Sequence, residues 1–394
     1  MSSSTNGARP AILGGRAAFP GGLAFFRPAT PPLKRVVARL EHSWELGVLT
    51  NGPLVRELEE AVAARLDVRH AVAVSSCTSG LLLSLRALRL SGRVVLPSFT
   101  FSASAHAVAW NGLEPVFAEC DRATFQVDPA DLEARVAACD GVLATHVFGA
   151  PCDVERVTAA ADTARVPVVF DAAHALGTKR RGEPIGGFGD AEVFSLSPTK
   201  PVVAGEGGMV TTDRDDVAEA VRIGRDYANP GDYDTRFIGL NARMSELHAA
   251  LALESLHEID ENQRRRRAVA ARYRAGLSEL PGITPQAVDE GDESSYKDFT
   301  VIIDEEFGLR RDTLGRALLA DGVDTRRYFD PPVHRHQAYA HLPPVPLPVT
   351  DDVASRVISL PMSAVLPPEA ADRVVEVIAA LHEHATDVEA MVAP

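Results

Sequence analysis

Cysteine is scarce: Cys77, Cys120, Cys139 and Cys152 are the only four in 394 residues, with no C-x-x-C pair and no histidine beside them at metal-ligand spacing. That argues against a zinc ribbon and a disulfide framework, and leaves small reduced residues of core or loop. No uninterrupted apolar run reaches the length of about 18 residues that a bilayer-spanning helix needs. The opening Met1-Ser2-Ser3-Ser4-Thr5-Asn6-Gly7 lacks the charged stretch and apolar core of a signal peptide, so a cytoplasmic protein is expected. Positive charge is also short. Lys and Arg number 40 against 54 Asp and Glu, a formal net charge of −14, which argues against a nucleic-acid-binding surface. No internal repeat is visible, and low complexity is confined to residues 1–25, rich in Ser, Gly, Ala and Pro and read as a mobile tail or partner-swapped arm.

What is present is ordinary for a globular enzyme: 46% hydrophobic and 24% charged residues. The length suits one large domain and one smaller one, expected at 26–255 and 256–394 after the tail. Seven short apolar runs alternate with helical patterns: Ala71–Val74, Val94–Leu96, Pro115–Phe117, Gly141–Thr145, Val166–Phe170, Glu192–Ser195 and Gly208–Thr212. Such alternation predicts an α/β fold, a mainly parallel sheet covered by helices on both faces. A helical stretch from Ser245 to Leu277 then leads to a smaller α/β unit, with Asp298–Ile303 as one strand.

The most informative stretch is Phe194-Ser195-Leu196-Ser197-Pro198-Thr199-Lys200, followed by Gly205-Glu206-Gly207-Gly208-Met209. It sets one lysine at the edge of a glycine-rich turn that leads into an apolar strand. Withdrawal from water favours the neutral amine, and neutral amines make Schiff bases. Upstream, the buried run Val166–Phe170 ends in Asp171-Ala172-Ala173-His174, an acid at the carboxyl end of a parallel strand, where open α/β sheets bind ligands. A third element, Val72-Ala73-Val74-Ser75-Ser76-Cys77-Thr78-Ser79-Gly80, passes from strand through small polar residues into a helix start, a natural anion cradle. Pyridoxal phosphate asks for these three things: a lysine for its aldehyde, a carboxylate for its pyridine nitrogen and a cradle for its phosphate.

With Leu49-Thr50-Asn51-Gly52-Pro53, Leu96-Pro97-Ser98-Phe99-Thr100-Phe101 and Gly239-Leu240-Asn241-Ala242-Arg243-Met244-Ser245-Glu246-Leu247, these motifs fall in one order from about Leu49 to the last helix near Leu381. In that order they resemble the DegT/DnrJ/EryC1/StrS sugar aminotransferases, pyridoxal-phosphate enzymes of fold type I. The resemblance implies a seven-stranded sheet between helices with a smaller C-terminal domain. It implies that Lys200 carries the cofactor and Asp171 pairs with its ring nitrogen. Phe101 would stack on the ring, and Ser195, Thr78 and the N–H groups of Cys77 and Ser79 would hold the phosphate. Asn241 would reach the phosphate of a neighbouring subunit, making a homodimer with shared sites. The implied reaction moves an amino group from glutamate, through the pyridoxamine 5′-phosphate form, to a nucleotide-linked keto-sugar.

Two departures stand out. Cys77 occupies a position where the family usually has glycine, so either the local φ is negative or the side chain turns away from the phosphate. His174 stands where many relatives carry glutamine, and both can hydrogen-bond the cofactor's ring hydroxyl. For the acceptor, Arg326, Tyr328 and His334 in the stretch Asp324–His334 are the candidate substrate contacts, with Tyr296 and Lys297 behind them. The run Arg264–Arg267 reads first as a solvated helix face, and second as a diphosphate contact. The favoured acceptor is dTDP-4-keto-6-deoxyglucose, on the pattern of deoxyamino-sugar formation for natural products; a 3-keto-sugar, a keto-cyclitol and a non-catalytic cofactor-binding regulator stay open. Retention of Lys200 counts against the related deoxygenating dehydratases, in which histidine replaces it.

Overall fold

Each of the seven expected apolar runs forms a strand. In the computed structural model, which describes residues 9–392, these are β1 (His70–Val74), β2 (Arg93–Pro97), β3 (Glu114–Ala118), β4 (Gly141–Thr145), β5 (Val168–Asp171), β6 (Ala191–Ser195) and β7 (Gly208–Thr212). They form one sheet, in the order β1-β7-β6-β5-β4-β2-β3. All pairings are parallel except those of β7, which runs antiparallel to both β1 and β6. Strands β4, β5, β6 and β7 are buried at every position, as both-face coverage requires. A second sheet of β8 (Ile283–Pro285), β9 (Phe299–Ile303) and β10 (Val357–Leu360) is antiparallel and belongs to the C-terminal unit.

The carboxyl ends of β4 and β5, the start of the helix Cys77–Ala87 after β1, and the turn between β6 and β7 converge on one side of the large sheet. Four phenylalanines, Phe99, Phe125, Phe148 and Phe329, pack edge to face and in parallel with centroids 5.5–6.4 Å apart. Their cluster includes Ile302 and Val357 of the small sheet, so it fastens the two units together beneath that convergence.

One carboxylate fixes the entry to the fold. Glu246, fully buried, accepts from Ser43 Oγ (2.7 Å) and from the N–H groups of Gly52 (2.9 Å), Leu54 (2.9 Å) and Val55 (3.0 Å). It therefore satisfies the open end of the helix Pro53–Leu66, where Pro53 has no N–H to offer. Glu246→Ala leaves these buried donors unmatched and is expected to lower stability by about 3–5 kcal/mol, read as a shifted urea midpoint with an unchanged slope.

Two local expectations change. The helical stretch 245–277 is two helices, Glu246–His257 and Ile259–Leu277, broken at Glu258. Within it Arg266 is buried, its guanidinium donating to the carbonyls of Tyr296 (3.0 Å) and Lys297 (3.3 Å), whereas Arg264 and Arg265 are exposed and pair with Glu261. Residues 9–25 are not a loose tail. Phe19 N–H donates to the Asp321 carbonyl (2.9 Å), Leu23 bridges to Val323, and Leu13 packs into the C-terminal core. Residues 1–8 of the expected tail lie outside the described residues. No helix among the described residues is long and apolar enough to cross a membrane.

Candidate active site

A cavity of about 350 Å³ opens where these elements meet, with Lys200, Asp171, His174, Ser195 and Phe101 in its wall. The helix after β1 enters it with its N-terminus. Ser76 Oγ accepts from Ser79 N–H (3.1 Å), while Ser79 Oγ accepts from Ser76 N–H (3.0 Å), a reciprocal cap. Ser79 is thus committed to the cap rather than to a ligand, which corrects its expected role as a phosphate contact. The N–H groups of Cys77 and Thr78 carry no hydrogen bond among the described residues and point an anion-binding end at the cavity.

Cys77 resolves the question its position raised. It is the first residue of the helix, it is absent from the residues with positive φ, and its Sγ turns inward, 3.6 Å from the Val193 carbonyl and 3.9 Å from Asp171 Oδ1. The backbone stays free to face an anion. Burial, followed by the Asp171 charge, holds its thiol well above the usual range, so it stays protonated.

The glycine that this turn does require is Gly208, the first residue of β7. A Cβ there would stand 2.6 Å from Cys77 N and from Ser76 C, which is backbone and cannot yield. Gly208→Ala is expected to push the N–H donors out of line and weaken pyridoxal-phosphate retention by roughly tenfold or more, measured as a dissociation constant by absorbance titration.

Asp171 ends β5 with both oxygens engaged: Ser104 Oγ donates to Oδ2 (2.6 Å) and Ala173 N–H to Oδ1 (3.0 Å). Burial raises its pKa, and these two hydrogen bonds and the Lys200 charge oppose the rise. A cationic N–H partner would complete the set. Ser104 is itself in a chain of buried hydroxyls, Thr145 to Thr100 (3.1 Å) and Thr100 to Ser104 (3.2 Å). Thr100 stands in a motif visible in the sequence, but no sequence signal joins it to Ser104 and Thr145; only the fold places these hydroxyls in line.

His174 has one role open to it. Its Nδ1 accepts from Phe148 N–H (3.1 Å) and its ring stacks on Phe148 at an 8° tilt. Burial, then the charges of Lys200 and Lys297, push its pKa well down, so the ring is neutral, with its proton on Nε2 as a donor. A glutamine amide at this position would donate in the same way.

Lys200 lies in the connection between β6 and β7, tied down by Lys200 N–H to the Ser197 carbonyl (3.0 Å), Ala204 N–H to the Leu196 carbonyl (2.7 Å) and Val203 N–H to Ser255 Oγ (2.9 Å). Burial first, and the Lys297 charge second, lower its pKa from 10.5 to about 8. The amine is therefore partly neutral near neutrality and ready to attack a carbonyl.

The other expected residues divide. Thr78 and Tyr328 line the cavity with the residues above. Arg326 does not: it pairs with Asp324 and lies over the Phe25 ring, 5.1 Å from its centroid. His334 is also outside, its N–H donating to Ser98 Oγ (3.0 Å) while that hydroxyl meets its Nδ1 (2.6 Å) and Nε2 faces Asp351 at 3.3 Å. Neither lines the cavity. Asn241 is exposed away from it, bridged to Asp226. A larger groove of about 680 Å³ on the small unit is lined by Arg310, Arg311 and Arg356, each already paired with an acid, and holds no amine of lowered pKa.

The residues present fit a pyridoxal phosphate: a helix end with free N–H groups, a buried carboxylate lacking only a cationic partner, a neutral imidazole donor and a lysine of lowered pKa surround one space. The chain is 40% identical to DesI, whose structure was determined in the presence of its TDP-sugar product, with a TM-score of 0.89 over 96% of this chain and 97% of that one. It is 31% identical to a dTDP-4-amino-4,6-dideoxy-D-glucose transaminase of Escherichia coli, over 85% of this chain and 92% of the relative. It is 34% identical to the erythromycin biosynthesis sensory transduction protein EryC1 of Saccharopolyspora erythraea, again over 85% and 92%. The sequence pattern of one family matches residues 33–379, and on that span the chain belongs to the DegT/DnrJ/EryC1/StrS aminotransferase family, as an enzyme of the pyridoxal-phosphate-dependent class.

Proposed function

We propose that the protein transfers an amino group from glutamate to a nucleotide-linked keto-sugar, with dTDP-4-keto-6-deoxyglucose as acceptor and a dTDP-4-amino-4,6-dideoxyhexose as product. The observation that carries this reading is the buried Lys200 amine, held in one cavity with Asp171 and a free helix N-terminus. The sugar and its nucleotide are supported by the relatives, the transaminase named for that amino-sugar and the structure with a TDP-sugar product.

In this reading the N–H groups of Cys77 and Thr78 and the Ser195 hydroxyl hold the phosphate, Phe101 covers the ring, His174 donates to its hydroxyl and Asp171 pairs with its nitrogen. When bound, pyridoxal phosphate supplies an electron sink for the carbon that bears the amine. Lys200 is the covalent anchor and, once displaced, its neutral Nζ takes the proton from the Cα of glutamate. In the opposite half it supplies the proton to the carbonyl carbon of the sugar. Phe329, the member of the phenylalanine cluster that lines the cavity, helps to keep water from it.

The active unit is a homodimer in which Asn241 reaches the partner subunit's phosphate site. Support comes from exposed apolar residues around it, Tyr227, Ile238 and Leu247, and from Phe101, 59% exposed at the cavity rim. Mixing an Asn241→Ala protein with a Lys200→Ala protein should restore activity in hybrid dimers. Demonstrated subunit exchange without restoration would refute the sharing.

The acceptor is tested by spectrum. Glutamate should convert the bound cofactor to the pyridoxamine form, and dTDP-4-keto-6-deoxyglucose should return it at a higher rate than 3-keto isomers or keto-inositols. A faster return with either of those replaces the acceptor named here, and no response to glutamate argues for a regulatory protein.

A further inference from the structure

The cavity contains a second buried amine. Lys297 is 5% exposed and lines the same space as Lys200, together with Asp298. Its Nζ lies 2.9 Å from both Asp298 oxygens, the only acceptors within hydrogen-bond distance among the described residues, and the Tyr328 ring centroid is 5.5 Å away. The backbone beneath is locked. Arg266 grips the carbonyls of Tyr296 and Lys297, Ser295 Oγ donates to the His174 carbonyl (2.6 Å), and Asp298 N–H meets the Phe148 carbonyl at 3.4 Å.

A buried pair of this kind adds little to stability, because desolvation offsets its attraction and an apolar pair would serve as well. Its place in the cavity asks for another explanation. The aminotransferase reading, on which this inference rests, needs one space to receive in turn an amino acid, whose α-carboxylate is anionic, and a keto-sugar ring, which is neutral there. A lone cation would suit the first and stand uncompensated beside the second. A cation with its own carboxylate suits both. An ammonium has three N–H donors, and a single carboxylate neighbour leaves at least one for an incoming oxygen.

We propose that Lys297 is the substrate-binding residue that receives the α-carboxylate of the amino donor, with Asp298 as its resident counter-ion whenever the keto-sugar occupies the cavity. The lysine serves better here than a permanently extended guanidinium would, since its compact ammonium can shift between two carboxylates on a flexible stem.

The test uses full-length protein freed of cofactor and two stable ligands measured by calorimetry: N-(5′-phosphopyridoxyl)-L-glutamate, and its 4-aminobutyrate counterpart, which lacks only the α-carboxylate. Wild-type protein is expected to prefer the glutamate adduct by roughly tenfold or more. Lys297→Met should reduce that preference to within about threefold, with affinity for the aminobutyrate adduct held within the same range, and Lys297→Arg should restore part of the preference. Should Lys297→Met fail to fold because Asp298 is left unpaired, Lys297→Met/Asp298→Leu removes both charges and is judged by the same criterion. The proposal is overturned if the preference survives in the folded variant, if wild-type protein shows none, or if both adducts weaken equally. Failure of wild-type protein to bind either adduct would instead remove the cofactor reading beneath it.

Discussion

Lys200→Met is expected to abolish turnover, by roughly 10⁴-fold or more, and at the same time to make the cofactor-free protein more stable. The loss of activity follows from the two jobs of one amine, anchor and proton carrier, neither of which a thioether can do. The gain in stability follows from its pKa. Burial lowers the folded-state value from 10.5 to about 8, so between those values the unfolded chain binds the proton that the folded chain has released. Stability contributed by this group therefore rises with pH across that window, and below about 8 the cost of burying the amine is present in full. At pH 7 its removal should add about 3 kcal/mol, with the difference shrinking towards pH 10.5. Urea unfolding of both cofactor-free proteins at several pH values checks the second part. The first is checked by turnover, and by borohydride treatment, which should attach the cofactor to the Lys200 peptide of wild-type protein alone. A Lys200→Met protein that retains turnover within tenfold would end the case for this lysine.

Asp171→Asn should leave cofactor affinity within about tenfold and cut turnover by roughly 10²–10³-fold. Asparagine fits the space: its Oδ1 can still accept from Ala173 N–H, and its Nδ2 can donate to Ser104 Oγ once that hydroxyl turns its proton away, so the local structure survives. What it cannot do is balance a positive charge on the ring nitrogen. Both half-reactions depend on that charge and should slow together, in single-turnover absorbance traces with glutamate and with the keto-sugar. Slowing of only one would assign Asp171 to a substrate instead. Ser104→Ala removes one hydrogen bond to the carboxylate and should have a smaller effect in the same direction.

The strands were legible because most are short runs rich in Val, Leu, Ala and Phe closed by turn residues, and in β4 to β7 burial on both faces leaves no in-and-out alternation of exposure. Lys200, Asp171 and the Ser76–Ser79 turn were legible because chemistry and position coincide at strand ends. Other features depend on distances that one sequence does not carry. Nothing near Gly208 says that its Cβ would strike the turn at Ser76 and Cys77, because the two meet only through the pairing of β1 with β7. Arg266 looks like its neighbours in a basic run, and only the helix rotation singles it out for burial. His334 and Arg326 fell beside a motif in sequence, yet Ser98 and Phe25 hold them elsewhere. Residues 9–25 have a composition typical of loose chain, but Leu13 and Phe25 are enough to seat them.

The reversal of β7 within an otherwise parallel sheet sets a limit on how this enzyme can diverge. Because β6 and β7 are antiparallel neighbours, the segment joining them needs no crossover helix and is pinned at both ends by the sheet. Loops elsewhere on this rim can gain or lose residues and so reshape what is accepted. The segment that carries the lysine has no such slack, and an insertion within it would move the amine relative to the carboxylate on β5. New specificities should therefore arise from length changes around this hairpin, never inside it.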